Sequence, residues 1–374
     1  MEIKMTDMYL NPLCLVVFGL LLSFAIVFVS IPTIVSVANL KKLYDEPGRR
    51  KSHKQSIPNL GGIAIFGGFV ISTGIFVDIS LSRELFYLFI GLVILFFVGV
   101  KDDILIIAPA KKLYGEILAC IVIIIIGDMR FTNLHGFLGI AEVSYIPSII
   151  LSIFVMIVII NSFNLIDGID GLASGIGMVV SSTFGIWFYL TGQTNYAIMA
   201  ATLLGSLICF FGYNVFGTKN KIFMGDTGSL IVGLVISTII IKFNEFNVAY
   251  TGPYRINSAP AVSFGILIIP LFDTARVFLI RILRGRSPFD ADKNHLHHRM
   301  LKLGFSHISA TLVLLTLNII FVFLAFFFQS IGIIYLMILN ISVAIAFTAI
   351  TEYFIRKNKH HEIYQSNSRH HVRA

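Results

Sequence analysis

Asn164, Asp167 and Asp170, within the run 161–172, form the most chemically loaded stretch of this chain. Residues three and four apart share a helix face, so the three polar side chains would make one stripe. Gly168 and Gly171 would let backbone or ligand approach closely. A second acidic pair, Asp102-Asp103, follows Gly99-Val100-Lys101. Neighbouring helical residues point about 100° apart, so one carboxylate can face a metal or a phosphate while the other meets a lysine. The third group is Gly225-Asp226-Thr227-Gly228, preceded by Asn214, Lys219, Lys221 and Phe223. Asp226 stands where a helix would begin. It reads either as an N-cap or as a carboxylate gathering with backbone amides around a cation and its phosphates. The fourth group runs from Arg286, Asp290 and Asp292 to His295-Leu296-His297-His298-Arg299. The histidines would suit zinc, yet no cysteine is near and hard carboxylates dominate elsewhere, which favours Mg2+, with Mn2+ as the alternative. His295, His297, His298, Arg286 and Arg299 are then read as phosphate-binding groups. A basic stretch at 49–54, containing Lys54, ends at Gly61-Gly62 and would either hold an anion or act as a topology signal.

Each of these groups abuts an apolar run. Of 374 residues, 56% are apolar and 13% charged, and the mean hydropathy is +0.88. A soluble domain carries about 25% charged residues, so the fold class expected is an all-α polytopic membrane protein. Eleven spans are placed near 13–39, 62–78, 85–100, 112–127, 145–161, 172–191, 195–215, 229–243, 261–283, 308–329 and 332–355. The fourth and eighth are short against the ~20 residues a bilayer needs, which predicts tilt, re-entry or an extended end. The first run is too long for a signal-peptide core and reads as a retained span. Of the 28 Lys and Arg residues, 23 fall on the side of the tail and of all four acidic groups. That places the N-terminus outside and the C-terminus and chemistry on the cytoplasmic face. The net charge of +8 resides in loops, where it serves topology and anionic lipid, so no nucleic-acid partner is expected. Cys14, Cys120 and Cys209 lie in apolar runs with no metal-ligand spacing. One membrane domain (1–355), an inside loop with the histidines (284–307) and a basic tail (356–374) complete the organisation.

In motif order, from about residue 51 to 304, the chain resembles the polyprenyl-phosphate N-acetylhexosamine-1-phosphate transferases, the family that includes the phospho-MurNAc-pentapeptide translocase. The resemblance rests on the His-Lys…Pro…Gly-Gly segment, Asp-Asp, Asn-x-x-Asp-Gly-x-Asp-Gly, Met-Gly-Asp-Thr-Gly, Pro270…Asp273-Thr274 and the histidine motif. His295-Leu296-His297-His298-Arg299 lacks the three contiguous histidines of the peptide-carrying branch and is similar to the branch that begins O-antigen, enterobacterial common antigen or teichoic acid synthesis. The resemblance implies a bacterial cytoplasmic-membrane enzyme that takes UDP-GlcNAc as donor and undecaprenyl phosphate as acceptor, with a homodimer as a compatible state. By that resemblance Asp170 and Asp226 would bind Mg2+, Phe223 would stack on uracil near Asn164, Asp167 and Asn214, and Asp102 and Asp103 would engage the lipid phosphate. His295 and its neighbours would hold the diphosphate, and Lys54 the nucleotide or lipid phosphate. The stretch between Asn214 and Phe223 is slightly longer than in the peptide-carrying branch.

The chemistry stands without the family. A lipid phosphate must attack the sugar-bearing phosphorus of a UDP-sugar, and a metal with fixed cations would reduce the repulsion between these anions. A phosphate monoester's second pKa is near ~6, so direct attack needs no strong base; a covalent aspartyl-phosphate route is the alternative. Another UDP-N-acetylhexosamine is an alternative donor. A cation-coupled transporter, the rival of another class, would put acids in mid-span rather than at one surface.

Overall fold

The structure is a computed structural model that describes residues 11–43, 57–105, 107–285 and 294–371. Its first half consists of α1 (Pro12–Lys41), α2 (Gly61–Phe76), α3 (Arg83–Leu105), α4 (Pro109–Ile121), a hairpin of β1 (Asn133–Phe137) and β2 (Ile140–Glu142), α5 (Tyr145–Ile166), α6 (Leu172–Leu190) and α7 (Thr194–Phe211). The second half adds α8 (Gly225–Ala249), α9 (Ala259–Ile266), α10 (Ile268–Leu283), α11 (Leu296–Lys302), α12 (His307–Phe327) and α13 (Ile333–His371). Eight of these helices are long and apolar enough to cross a membrane, and the chain is a multi-pass helical membrane protein.

Every run placed from sequence is helical, and three depart in instructive ways. The fourth run is α4 prolonged by a π-helical turn, Val122–Ile126. The eighth is longer than its apolar centre, because α8 takes in the polar turn at Gly225 and continues to Ala249. The ninth breaks at Leu267 into α9 and α10. Pro270 has no N–H to give the carbonyl four residues back. The Ile266 carbonyl accepts instead from the Asn318 side chain of α12 at 3.2 Å. The segment read as a tail continues α13 as one helix to His371.

The central post is α8, apolar on all sides and buried along most of its length, as such a helix must be. It packs against α2, α3 and α5. The approach is closest at its first turn: a Cβ on Gly62 of α2 would overlap the backbone of Thr227 and Gly228. Gly62→Ala is therefore expected to destabilise the protein by about 2–3 kcal/mol through overpacking against backbone that cannot swing aside. A thermal midpoint in detergent equal to the parent's would refute this contact.

The opposite end of the bundle carries its own polar bracing. Glu84 of α3 accepts from Lys242 of α8 and from the Tyr196 hydroxyl of α7, both at 2.7 Å. Glu245 takes the Thr132 N–H before the hairpin at 2.8 Å. These bonds fasten the end remote from the acidic groups.

Candidate active site

At the near end, the C-termini of α3 and α5 meet the N-terminus of α8, bringing three of the acidic groups together. Asp102 and Asp103 face different partners, as adjacent helical residues must. Asp102 accepts from the Ile107 N–H at 2.7 Å and lies 3.4 Å from the Lys112 ammonium of α4. Asp103 accepts from the N–H of Asp226 at 2.6 Å and from the N–H and hydroxyl of Thr227 at 3.0 and 2.5 Å. The first N–H groups of a helix lack internal partners. The cap of α8 is thus Asp103, donated by another helix, and its carboxylate is committed to holding α8 rather than turned toward a lipid phosphate.

That leaves the Asp226 side chain free of capping. One of its oxygens takes both the Lys112 ammonium and the Asn164 amide, and Asn164 also donates to Ser229 at 2.9 Å. Lys112 bridges Asp102 and Asp226. One turn along α4, buried Glu116 accepts from Asn161, one turn back from Asn164 on α5. The sequence reading missed Lys112 and Glu116. Lys112 was absorbed into the positive charge of its loop, whereas Glu116 is an acid inside an apolar run and was itself a signal.

Beyond α5, the loop 167–171 carries the other two acids. Asp170 is buried and pairs with Lys221 at 2.6 Å, while its carbonyl accepts from Thr311 of α12 at 2.7 Å. Asp167 has a carboxyl pushed well above the usual carboxylate range, first by burial and then by the negative charges of Asp226, Asp103 and Asp170. Asn214 is placed beneath this loop: its side chain accepts from the Gly171 N–H at 2.6 Å and donates to the Ile222 carbonyl at 2.9 Å. Both ends of its amide are occupied by backbone, so it braces the loop against the segment before Phe223 and is not turned to a nucleotide. Phe223 is half-buried, and its N–H and carbonyl bond to Pro58 and Gly61 at 2.8 and 2.9 Å. The carbonyls of Phe223 and Met224 thereby satisfy the first N–H groups of α2.

The histidine motif forms the short helix α11. Asp273 of α10, also missed as a site residue, accepts from both the Leu296 N–H and His295 Nδ1 at about 3.0 Å, and Arg276 holds the same carboxylate at 2.7 Å. His295 is therefore fixed in orientation. His297 is buried against Gly168 of the acidic loop, where a Cβ would strike its ring, and burial chiefly, then the neighbouring His298, pulls its pKa down to about 3. It is neutral at pH 7 and its Nδ1 has no partner among the described residues. His298 packs beside it, with ring centroids 4.3 Å apart. Arg299 departs from the phosphate-binding expectation: its guanidinium is paired with Glu352 of α13, which also takes Arg356 at 2.8 Å. Glu352 offers Arg299 a carboxylate within reach of its fork, and α11 is tied by that pair to the last helix. Lys54 and Arg286 lie outside the described residues.

Among the described residues, no three His, Cys, Asp or Glu side chains stand together as a ligand set for one ion. The charges nevertheless fit one. Asp102, Asp103, Asp167, Asp170 and Asp226 converge, Lys112 pairs with Asp102 and Asp226 and Lys221 with Asp170, and the repulsion left among the carboxylates falls most heavily on Asp167. Oxygen donors of this kind suit a hard divalent cation.

The family model described as glycosyl transferase family 4 matches residues 85–244, the stretch from the start of α3 to the last turns of α8. An Escherichia coli O157:H7 protein named undecaprenyl-phosphate alpha-N-acetylglucosaminyl 1-phosphate transferase is 31% identical over 284 residues, covering 75% of each chain. The protein of that name from Yersinia pestis is 30% identical, over 79% of this chain and 78% of its own. A Bacillus subtilis protein named probable undecaprenyl-phosphate N-acetylglucosaminyl 1-phosphate transferase is 28% identical over 82% of this chain and 83% of its own. With the acidic end of α3, the loop after α5 and the start of α8 all inside the matched stretch, the chain belongs to glycosyl transferase family 4.

Proposed function

We propose that the protein transfers GlcNAc-1-phosphate from UDP-GlcNAc to undecaprenyl phosphate, giving undecaprenyl-diphospho-GlcNAc and UMP on the cytoplasmic face of a bacterial inner membrane. This would be the first membrane step of a cell-envelope polysaccharide. The observation that carries the reading is the convergence of Asp102, Asp167, Asp170 and Asp226, with Lys112 and Lys221, at one end of a membrane bundle. An acceptor confined to the bilayer and a soluble nucleotide meet only at such a surface. The homologues' names and the bias of cations toward this side support the same reading.

In the reaction, an oxygen of the lipid phosphate attacks the sugar-bearing phosphorus, the bond from that phosphorus to the UMP oxygen breaks, and UMP leaves with the electron pair. Asp170 and Asp226 would hold Mg2+, which supplies charge neutralisation at the diphosphate. The residues of the chain do the rest. Lys112, between Asp102 and Asp226, offers a cation to the incoming phosphates. Asp102 orients the acceptor or takes its residual proton. His295, steadied by Asp273, donates a hydrogen bond to a phosphate oxygen. Asp103 keeps α8 in register so that Asp226 faces the reaction.

Purified protein given undecaprenyl phosphate and radiolabelled UDP-GlcNAc should release UMP and move label into the lipid phase only with Mg2+ or Mn2+. Transfer from a different UDP-N-acetylhexosamine alone would change the donor, and silence with every donor from folded protein would overturn the reading. Phe223→Ala is expected to raise the KM for UDP-sugar roughly tenfold with a smaller loss of kcat, the effect of removing one stacking ring. An unchanged KM would take Phe223 out of the nucleotide site.

A further inference from the structure

We propose that a groove between α1 and the end of α7 binds one chain of an anionic glycerophospholipid, with its phosphate at Lys219. The groove encloses about 430 Å³ and is lined by Phe24 and Phe28 of α1 and by Tyr213 and Phe216 from the π-helical turn Gly212–Phe216 that ends α7. Its shape follows from sequence. Pro32 has no N–H for the Phe28 carbonyl, and the Tyr213 hydroxyl donates to that carbonyl at 3.2 Å, joining α1 to the π turn. The π turn carries Phe216 outward, 69% exposed, while Phe28 is 55% exposed.

Gly212 also lines the groove. Its φ of −57° is ordinary right-handed helix, and a Cβ there would meet nothing within 4 Å. Neither packing nor backbone conformation calls for glycine at this position, and any larger side chain would fill the groove. Both walls belong to helices that qualify as membrane spans, so the apolar occupant is lipid.

The rim decides which lipid. Lys219 is exposed at the mouth and forms no ion pair among the described residues, whereas Lys221, two residues on, is already held by Asp170. A lone cation above an aromatic groove at the membrane surface matches a negatively charged headgroup above its chain. The position also couples the groove to the site, since the π turn contains Asn214, which bonds to Gly171 and Ile222, and the rim runs directly into Lys221 and Phe223. The proposed transfer reaction requires no such lipid, so the groove is a separate property of the chain.

Delipidated protein in neutral detergent, titrated with phosphatidylglycerol or phosphatidylcholine, can be read by native mass spectrometry. Wild type should retain one phosphatidylglycerol at concentrations where phosphatidylcholine is lost. Gly212→Leu should lose that one lipid, and Lys219→Gln should narrow the preference by about fivefold. Lys219 is exposed, so its variant tests the headgroup assignment even if Gly212→Leu folds poorly. Equal retention of the two lipids by wild type, or an undiminished phosphatidylglycerol count in folded Gly212→Leu, would overturn the proposal. So would displacement of phosphatidylglycerol by undecaprenyl phosphate that Gly212→Leu abolishes, which would assign the groove to the acceptor.

Discussion

Asp226→Asn is expected to reduce turnover by about 10²- to 10³-fold while leaving the thermal midpoint within about 2 °C of wild type. The two halves of that result have different causes. Turnover falls because the Asp226 oxygen that takes Lys112 and Asn164 loses its charge, weakening both the lysine bridge to Asp102 and the proposed metal site. Stability holds because the first N–H groups of α8 are capped by Asp103, and the asparagine oxygen still accepts from its neighbours. Asp103→Ala should show the reverse emphasis. Losing three accepted bonds at the start of the central helix costs about 1–3 kcal/mol in a group of this burial, which a melting curve resolves. Turnover of Asp226→Asn above a tenth of wild type at ordinary Mg2+ would remove Asp226 from the reaction.

The contrast between these two aspartates shows where sequence reasoning stopped. Charged groups at the ends of apolar runs stand out because hydrocarbon excludes them, so the acidic groups at 102–103, 167–170 and 226 were legible together with the helical class. Their division of labour was not. Asp226 begins a helix and therefore read equally as its cap, but the cap came from Asp103, 123 residues earlier. A bond of that span leaves no periodic trace. Arg299 and Glu352 pair over 53 residues, so a basic residue in a histidine motif read as a phosphate ligand. The break at Leu267 had a local cause in Pro270, yet the sequence alone does not say that Asn318 stands ready to take the freed carbonyl.

Asp167→Asn is the sharper test of the acidic cluster, because it should abolish transfer and stabilise the ligand-free protein together. Asp167 titrates well above an ordinary aspartate, through burial and then the charges of Asp226, Asp103 and Asp170. A carboxyl whose folded pKa exceeds its unfolded value of about 3.9 favours the folded state at low pH and loses that contribution as pH rises through the folded value. At neutral pH, above the unfolded value, folding the wild type therefore meets a cost at this carboxyl that asparagine does not. The midpoint of Asp167→Asn should exceed wild type by about 2 °C or more near pH 7, and the two should converge toward pH 4. Acids remote from the cluster titrate alike in both proteins, so the difference reads Asp167 together with the repulsion it shares with Asp226, Asp103 and Asp170. Mg2+ should raise the wild-type midpoint more than that of the variant, since a cation at the cluster relieves the same repulsion. A variant less stable than wild type at pH 7, or a difference that does not shrink on acidification, would mean that Asp167 is satisfied in the resting protein and that the cluster is not held ready for a cation.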